Sequence, residues 1–318
     1  MYSTLNISII VVTYKSQDLI DRCLTPIITA NVPGVEIVVW DNASPDGTVE
    51  YIRAKYPTIK LITSANNLGF AKGNNAALAH CAGEVIVLLN PDAFIKNMSD
   101  IIAMANYVHK NPSIAAVGPQ LLNADGSHQV GDAGWRFTLR NVIGHFLFIH
   151  RLNSGFPAIY LSNDVLLLRK EVDVDWICGA CLITRRNVVD IVGGLDSDIF
   201  MYSEDVEWGE RCRDRGYRLV YLPIYKVLHI QGGTQRSESD PFFSTSAMDA
   251  LAHRISTRIS SLEFILFQIV LVVGYVIRAG IYWLTGTIKR KPHLISKSSV
   301  MLCYARHARR LTYQLKTK

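Results

Sequence analysis

This 318-residue chain lacks the residue patterns of several common chemistries. It has six cysteines, and only Cys178 and Cys181 stand close together, in a C-x-x-C spacing. A structural zinc site would need a second pair, and there is none. A redox C-x-x-C opens a helix. This one lies in Trp176-Ile177-Cys178-Gly179-Ala180-Cys181-Leu182-Ile183, which reads as a strand. Buried reduced thiols are the plain reading, and they suit a reducing cytosol. No G-x-G-x-x-G follows the first apolar run, Ile9-Ile10-Val11-Val12-Thr13-Tyr14, so dinucleotide binding is disfavoured. There is no G-x-x-x-x-G-K-[ST] either, which removes the P-loop. The N-terminus enters a strand almost at once and has no basic-then-apolar leader, so no secretory signal is expected.

The length provides for one large α/β domain and an appendage, and 49% hydrophobic content is at the upper end for a soluble protein. Charge is unevenly spread. Residues 241–318 hold 12 Lys and Arg against 2 Asp and Glu, leaving 21 against 25 in the first 240. That is a near-neutral body with a basic tail, and basic tails usually meet phosphate.

Apolar runs and helical patterns alternate from the start: strands at 7–12, 35–40, 59–62 and 85–89, with helices at 17–30, 48–55 and 71–81 between them. This alternation predicts a doubly wound, mostly parallel α/β sheet, punctuated by Pro57, Pro91 and Pro112. Residues 120–175 are less regular. Their turn signals and aromatics (Trp135, Phe137, Phe146, Phe148, Tyr160) suggest a substrate-facing insertion. A helix over 186–192, the turn Gly193-Gly194-Leu195-Asp196, a helix from about Glu204 and a strand over 218–221 follow.

Residues 264–288 are almost wholly apolar and long enough to span a bilayer. However, Gln268, Tyr275, Arg278, Tyr282, Thr285 and Lys289 fall at helical spacing in one polar stripe. Basic residues also flank the segment on both sides, against the positive-inside tendency. A helix lying in the membrane interface fits better than a span. A buried helix or an oligomer contact is the alternative.

Three acids sit at strand or turn ends. Asp92 closes the run 84–89 in Asn90-Pro91-Asp92, Asp41 follows the second strand, and Asp205 follows Tyr202-Ser203-Glu204. The carboxyl edge of an open α/β sheet is where its ligands bind. An acid in the place of Asp41 can accept from a ribose hydroxyl or a base imide, although Asp41-Asn42-Ala43-Ser44-Pro45-Asp46-Gly47 also reads as a turn with a helix cap. Lys72, beside two glycines, is either a phosphate contact or a solvated lysine. His229 precedes Ile230-Gln231-Gly232-Gly233, which reads as a flexible segment.

Taken in order, these pieces resemble a nonprocessive family 2 glycosyltransferase, similar to bacterial rhamnosyltransferases of surface-polysaccharide assembly. The series is Ile10-Val11-Val12-Thr13-Tyr14, Asp41-Asn42-Ala43-Ser44, Asn67-Leu68-Gly69-Phe70-Ala71-Lys72-Gly73-Asn74-Asn75 and Leu89-Asn90-Pro91-Asp92. It continues with Gly179 to Arg186, Gly193-Gly194-Leu195-Asp196, Phe200 to Asp205, Gly216-Tyr217-Arg218 and His229. The resemblance covers about residues 5–235. The Q-x-x-R-W signature of processive relatives is absent after Asp205, so one sugar per binding event is expected.

The resemblance implies a GT-A fold and inverting transfer from a nucleotide-diphosphate sugar, with dTDP-rhamnose as the leading donor and UDP-galactofuranose or a UDP-hexose as alternatives. Thr13, Tyr14, Asp41, Asn67, Gly69, Lys72, Asn75 and Asn90 would lie around the donor. Asp92, and His229 as a second ligand, would hold Mg²⁺ or Mn²⁺. Asp205 would be the general base, with Glu204 able to exchange roles, and Gly179, Ala180 and Trp176 would border the acceptor. The first acid of the family's D-x-D is Asn90 here, which leaves fewer carboxylates on the metal. The chemistry supports such roles. A divalent cation spreads the charge of a leaving diphosphate, and a positioned carboxylate takes the acceptor proton. Three divisions are expected: a nucleotide-sugar half at 1–118, an acceptor and base half at 119–240, and a basic, amphipathic, membrane-associating segment at 241–318. Expected partners are a lipid-linked saccharide acceptor, the cytoplasmic face of a bacterial inner membrane and, through the C-terminal helix, an oligomer; no nucleic acid is expected. A noncatalytic scaffold in polysaccharide assembly is the reading from another class.

Overall fold

The computed structural model describes residues 5–153, 155–161, 171–230, 242–256 and 258–312. It divides into two compact units, residues 1–134 with 160–236, and residues 135–159 with 237–318. The insertion expected to belong with the acceptor half is thus split, with 135–159 assigned to the C-terminal helical unit.

In the first unit, β1 (Ile7–Thr13), β2 (Val35–Asp41), β3 (Lys60–Thr63) and β4 (Val85–Leu89) form a parallel block. It is wound with α1 (Gln17–Ala30), α2 (Thr48–Lys55) and α3 (Gly69–Leu78). β4 is buried along its whole length, as its unbroken apolar run requires. After β4 come β5 (Ala93–Ile95), α4 (Met98–Lys110), β6 (Ile114–Leu122) and the two-residue β7 (Ala133–Gly134). Then follow β8 (Val172–Val174), β9 (Trp176–Ile177), β10 (Cys181–Arg185), α6 (Arg186–Val192), α7 (Glu204–Asp214) and β11 (Arg218–His229), with α5 described below. The sheet order is β3-β2-β1-β4-β10-β6-β11-β5, with β8 on β11, and β10 runs antiparallel to β4 and β6. This is an α/β architecture of the GT-A type.

Two sequence expectations are corrected. The strand expected across 176–183 is two strands broken by a turn at Gly179-Ala180, because β9 pairs with β7 while β10 enters the main sheet. The strand expected to end at 221 continues to His229, and its far end pairs with β5 so that His229 lies opposite Ala93. Gln231 to Gly233, expected to be flexible, lie outside the described residues.

The second unit contains α5 (Leu139–Phe146), α8 (Phe242–Ser256), α9 (Ser261–Ile288) and α10 (Pro292–Ala308). Ser260 and Glu263 form a reciprocal capping box at the start of α9. Part of the polar stripe of α9 packs within this unit, while Lys289 is exposed. Arg278 donates to the carbonyls of Phe146 at 2.8 Å and His145 at 3.0 Å, closing the C-terminus of α5. Gln268 donates to the carbonyls of Leu311 at 2.7 Å and Ala308 at 3.3 Å, at the C-terminal end of α10. Tyr275 stacks edge-on between Phe146 and Tyr304. The physical reason is that exposed helix-end carbonyls need donors, and the stripe supplies them. The outward face of α9 is therefore apolar, with Leu262, Ile269, Val276, Trp283 and Ile288 exposed.

Candidate active site

The carboxyl ends of the parallel strands come together as the sequence implied. Thr13 and Asp41 are register partners on β1 and β2, and both are buried. Asp41 Oδ2 accepts from Thr13 Oγ1 at 2.8 Å and Ser44 Oγ at 2.5 Å, while Oδ1 accepts from the Ser44 amide at 2.8 Å. As folded, Asp41 orders the 41–47 loop and does not present an open carboxylate. Tyr14, half-buried, follows Thr13 at the same edge.

Asn42, next to Asp41 at the strand end, links this loop to the start of α3. Its Nδ2 donates to the Gly69 carbonyl at 3.0 Å, and its Oδ1 accepts from Trp40 Nε1 at 3.0 Å. Asn67 Oδ1 accepts from the Gly69 amide at 2.9 Å. Gly69 has φ +82°, and a Cβ there would lie 2.3 Å from the Phe200 carbonyl, which accepts from the Phe70 amide at 2.8 Å. Lys72 is exposed on α3. Asn75, expected near the donor, is committed elsewhere. Its Nδ2 donates to the Leu195 carbonyl at 2.7 Å and to Ser197 Oγ at 3.2 Å, and its Oδ1 accepts from the Leu195 amide at 2.9 Å. It staples α3 to the Gly193-Gly194 turn.

At the end of β4, Asp92 and His229 are both buried, with Asp92 Oδ1 3.3 Å from His229 Nε2. Pairing of β5 with β11 produces this meeting, since His229 registers one residue from Asp92. The Ile230 amide donates to the Asp92 carbonyl at 3.0 Å, and Asn90 Nδ2 stands 3.5 Å from His229 Nε2. Among the described residues no group of three or more His, Cys, Asp and Glu gathers. The pair nevertheless fits a divalent cation: a carboxylate oxygen and an imidazole nitrogen converge, and diphosphate oxygens could supply the remaining ligands.

Asp205 opens α7, half-buried. Its Oδ2 accepts from the Gly179 amide at 3.1 Å and its Oδ1 from the Val206 amide at 2.8 Å. The adjacent Ala180 carbonyl accepts from the Asn90 amide at 2.9 Å. One turn therefore ties the helix end bearing Asp205 to the strand end bearing Asp92. A Cβ at Gly179 would lie 2.9 Å from the Phe70 ring, which would have to shift. Trp176 is buried on β9, edge-on to Tyr160, behind this turn.

Glu204 and Asp205 have different environments. Glu204 is buried, its Oε2 has no hydrogen-bond partner, and burial, with the neighbouring Asp205 charge adding, holds its carboxyl well above the usual range. Glu204 therefore lacks the hydrogen-bond donors that orient Asp205. Tyr202 and Ser203, at φ +72° and +69°, form the bend into α7. Two adjacent left-handed non-glycine residues at such a place are a strained feature that sequence patterning does not reveal. Cys178 and Cys181 are free, and burial pushes the Cys181 thiol up to about 12.

Comparison with known proteins agrees with this fold. Residues 8–162 match the model of glycosyl transferase family 2. The chain is 29% identical over 232 residues to the N-acetylglucosaminyl-diphospho-decaprenol L-rhamnosyltransferase of Mycobacterium tuberculosis, spanning 70% of this chain and 75% of that one. It is 26% identical over 246 residues to the rhamnosyltransferase WbbL of Escherichia coli K12, covering 74% and 86%. Among solved structures, the mannosyltransferase of Pyrobaculum calidifontis in complex with GDP-Man and Mn²⁺ superposes with a TM-score of 0.60 at 18% identity, over 97% of this chain and 87% of that one. Over residues 8–162, just under half of its length, the chain is similar to glycosyltransferase family 2. Its relatives over most of the chain include rhamnosyltransferases.

Proposed function

We propose that the protein transfers one sugar, with inversion, from a nucleotide diphosphate to a polyprenyl-diphosphate-linked saccharide, with dTDP-rhamnose as the donor. The observation that carries this reading is the Gly179-Ala180 turn, which bonds Asp205 on one side and the Asn90-Pro91-Asp92 strand end on the other. A base and a diphosphate seat must be fixed relative to each other for in-line displacement. The names of the two rhamnosyltransferase relatives support the donor, and the mycobacterial name supports the lipid-linked acceptor.

Asp92 and His229 would hold Mg²⁺ or Mn²⁺, whose chemistry is to stabilise charge on the departing diphosphate. The Mn²⁺ that accompanies GDP-Man in the mannosyltransferase complex supports a divalent ion. Asp205, oriented by the Gly179 and Val206 amides, takes the acceptor hydroxyl proton as the hydroxyl attacks the anomeric carbon opposite the diphosphate. Glu204 is buried without a partner on Oε2, whereas Asp205 has two amide donors, which favours Asp205 as the base.

The outward apolar face of α9, a helix with mean hydropathy 2.2 over its most apolar stretch, and the basic tail support attachment to an anionic membrane surface on the cytoplasmic side.

The test is a nucleotide-release screen over dTDP- and UDP-sugars with lipid-linked acceptors, with and without Mn²⁺ or Mg²⁺. Asp205→Asn should lose roughly 10²–10⁴-fold in transfer while nucleotide binding persists. Full activity in that variant would overturn the base assignment. Release from no donor across the panel would favour a noncatalytic scaffold.

A further inference from the structure

Gln129 lies in the loop between β6 and β7 and its side chain is buried. Its Nε2 donates to the His229 carbonyl and to Asn123 Oδ1, both at 3.1 Å. Asn123 uses its own Nδ2 toward Ser127 Oγ at 3.0 Å and the His128 carbonyl at 3.2 Å, so its Oδ1 is the end free to accept. These two acceptors fix which way the Gln129 amide points. Its Oε1 is thereby aimed at His229 Nδ1, 2.6 Å away.

An amide oxygen only accepts, so His229 Nδ1 must carry the proton in that bond. In the neutral ring the lone pair is then on Nε2, the nitrogen 3.3 Å from Asp92 Oδ1. The loop that presents Gln129 is itself anchored. Buried Asp132 accepts from the Leu121 amide at 3.1 Å and from the Tyr221 hydroxyl, and its Oδ1 stands 3.0 Å from His128 Nε2.

We propose that Gln129 is a positioning residue that selects the Nδ1–H tautomer and ring plane of His229, so that Nε2 faces a divalent cation shared with Asp92. This rests on the metal reading given above. Ligating histidines owe both tautomer and orientation to the partner of their other nitrogen, and loss of that partner typically costs about 10–100-fold in metal affinity. The signal in the sequence was slight: a glutamine three residues after the Asp125-Gly126 turn, a hundred residues from the histidine it holds.

The test uses the full chain labelled with ¹⁵N-histidine, free of metal, at about pH 8.5, above the ordinary imidazole range. His229 resonances, assigned by comparison with His229→Ala, should report protonated Nδ1 and bare Nε2. Protonated Nε2 would overturn the proposal without recourse to any Gln129 variant. Mn²⁺ is then titrated, alone and with dTDP, by electron paramagnetic resonance. Gln129→Leu should bind Mn²⁺ roughly 10–100-fold more weakly. Gln129→Glu, which keeps an acceptor for Nδ1–H but loses the donor to the His229 carbonyl and Asn123 Oδ1, should fall between the wild type and Gln129→Leu. Unchanged affinity in Gln129→Leu, or an equal loss in both variants, would also refute it. Mn²⁺ affinity unaffected by His229→Ala would refute the metal reading instead, and the tautomer measurement would still decide what Gln129 does.

Discussion

Replacing Gly69 by alanine tests whether the start of α3 and the loop leading to Asp205 act as one piece. Gly69 has φ +82°, and a non-glycine residue there costs about 1–2 kcal/mol. The new Cβ would also lie 2.3 Å from the Phe200 carbonyl and 2.8 Å from its ring, where ordinary contact begins at 3.4 Å. A backbone oxygen cannot swing aside as a side chain can, so the 200–203 bend must retreat by about 1 Å. That breaks the 2.8 Å bond from the Phe70 amide, a loss of roughly 1–3 kcal/mol for a donor left unsatisfied. Gly216, at φ +84° with nothing within 4 Å of its own Cβ position, carries the backbone cost without the collision. Gly216→Ala should therefore cost about 1–2 kcal/mol and keep activity, whereas Gly69→Ala should cost about 2–5 kcal/mol. At about 2–4 °C per kcal/mol, calorimetry should separate the two melting points by several degrees. Transfer activity should fall further in Gly69→Ala than its folded fraction explains, because the moved bend carries Asp205. Equal melting points, or full activity in Gly69→Ala, would refute the linkage.

Glu204→Gln should remove a pH-dependent penalty. The Glu204 carboxyl titrates higher folded than unfolded, so the native state keeps a proton that the unfolded chain has lost, and its contribution is fully present below the unfolded value and falls as pH rises. Thermal melts at acid and alkaline pH should show the wild type losing more stability on the alkaline side than the variant; parallel losses would mean the carboxyl is not held neutral. On α9, replacing Ile269, Val276 and Trp283 together by serine should weaken binding to phosphatidylglycerol vesicles about 100-fold or more, since each buried apolar side chain contributes about 1.5–3 kcal/mol. Sedimentation with vesicles reads this directly, and undiminished binding would rule out that face as the membrane contact.

The alternation of apolar runs with helical patterns was enough to predict the parallel block, because β1 pairs β2 and β2 pairs β3 in chain order, although the return of β4 to the far side of β1 was not legible. The local breakers also marked where Asp41, Asp92 and Asp205 would sit. Burial and long-range pairing could not be read the same way. Asn75 stands in a glycine- and asparagine-rich stretch that suggested the donor, yet its amide is used 120 residues away at Leu195. The polar stripe of α9 was legible as a period but not as a direction, since the carbonyls that attract Arg278 belong to α5, over 130 residues earlier in the chain.

The sequence by itself therefore determined the fold class and the order of the acids, since both rest on periodicity and on breakers acting over a few residues. Tertiary structure alone decided their states. It set His229 against Asp92 through the β5–β11 register, gave Glu204 a buried environment and Asp205 two backbone donors, and turned part of the polar stripe of α9 inward. The physical reason is common to all of these. Desolvation and hydrogen-bond partners are supplied by residues distant in sequence, and they exist only once the chain has closed around them.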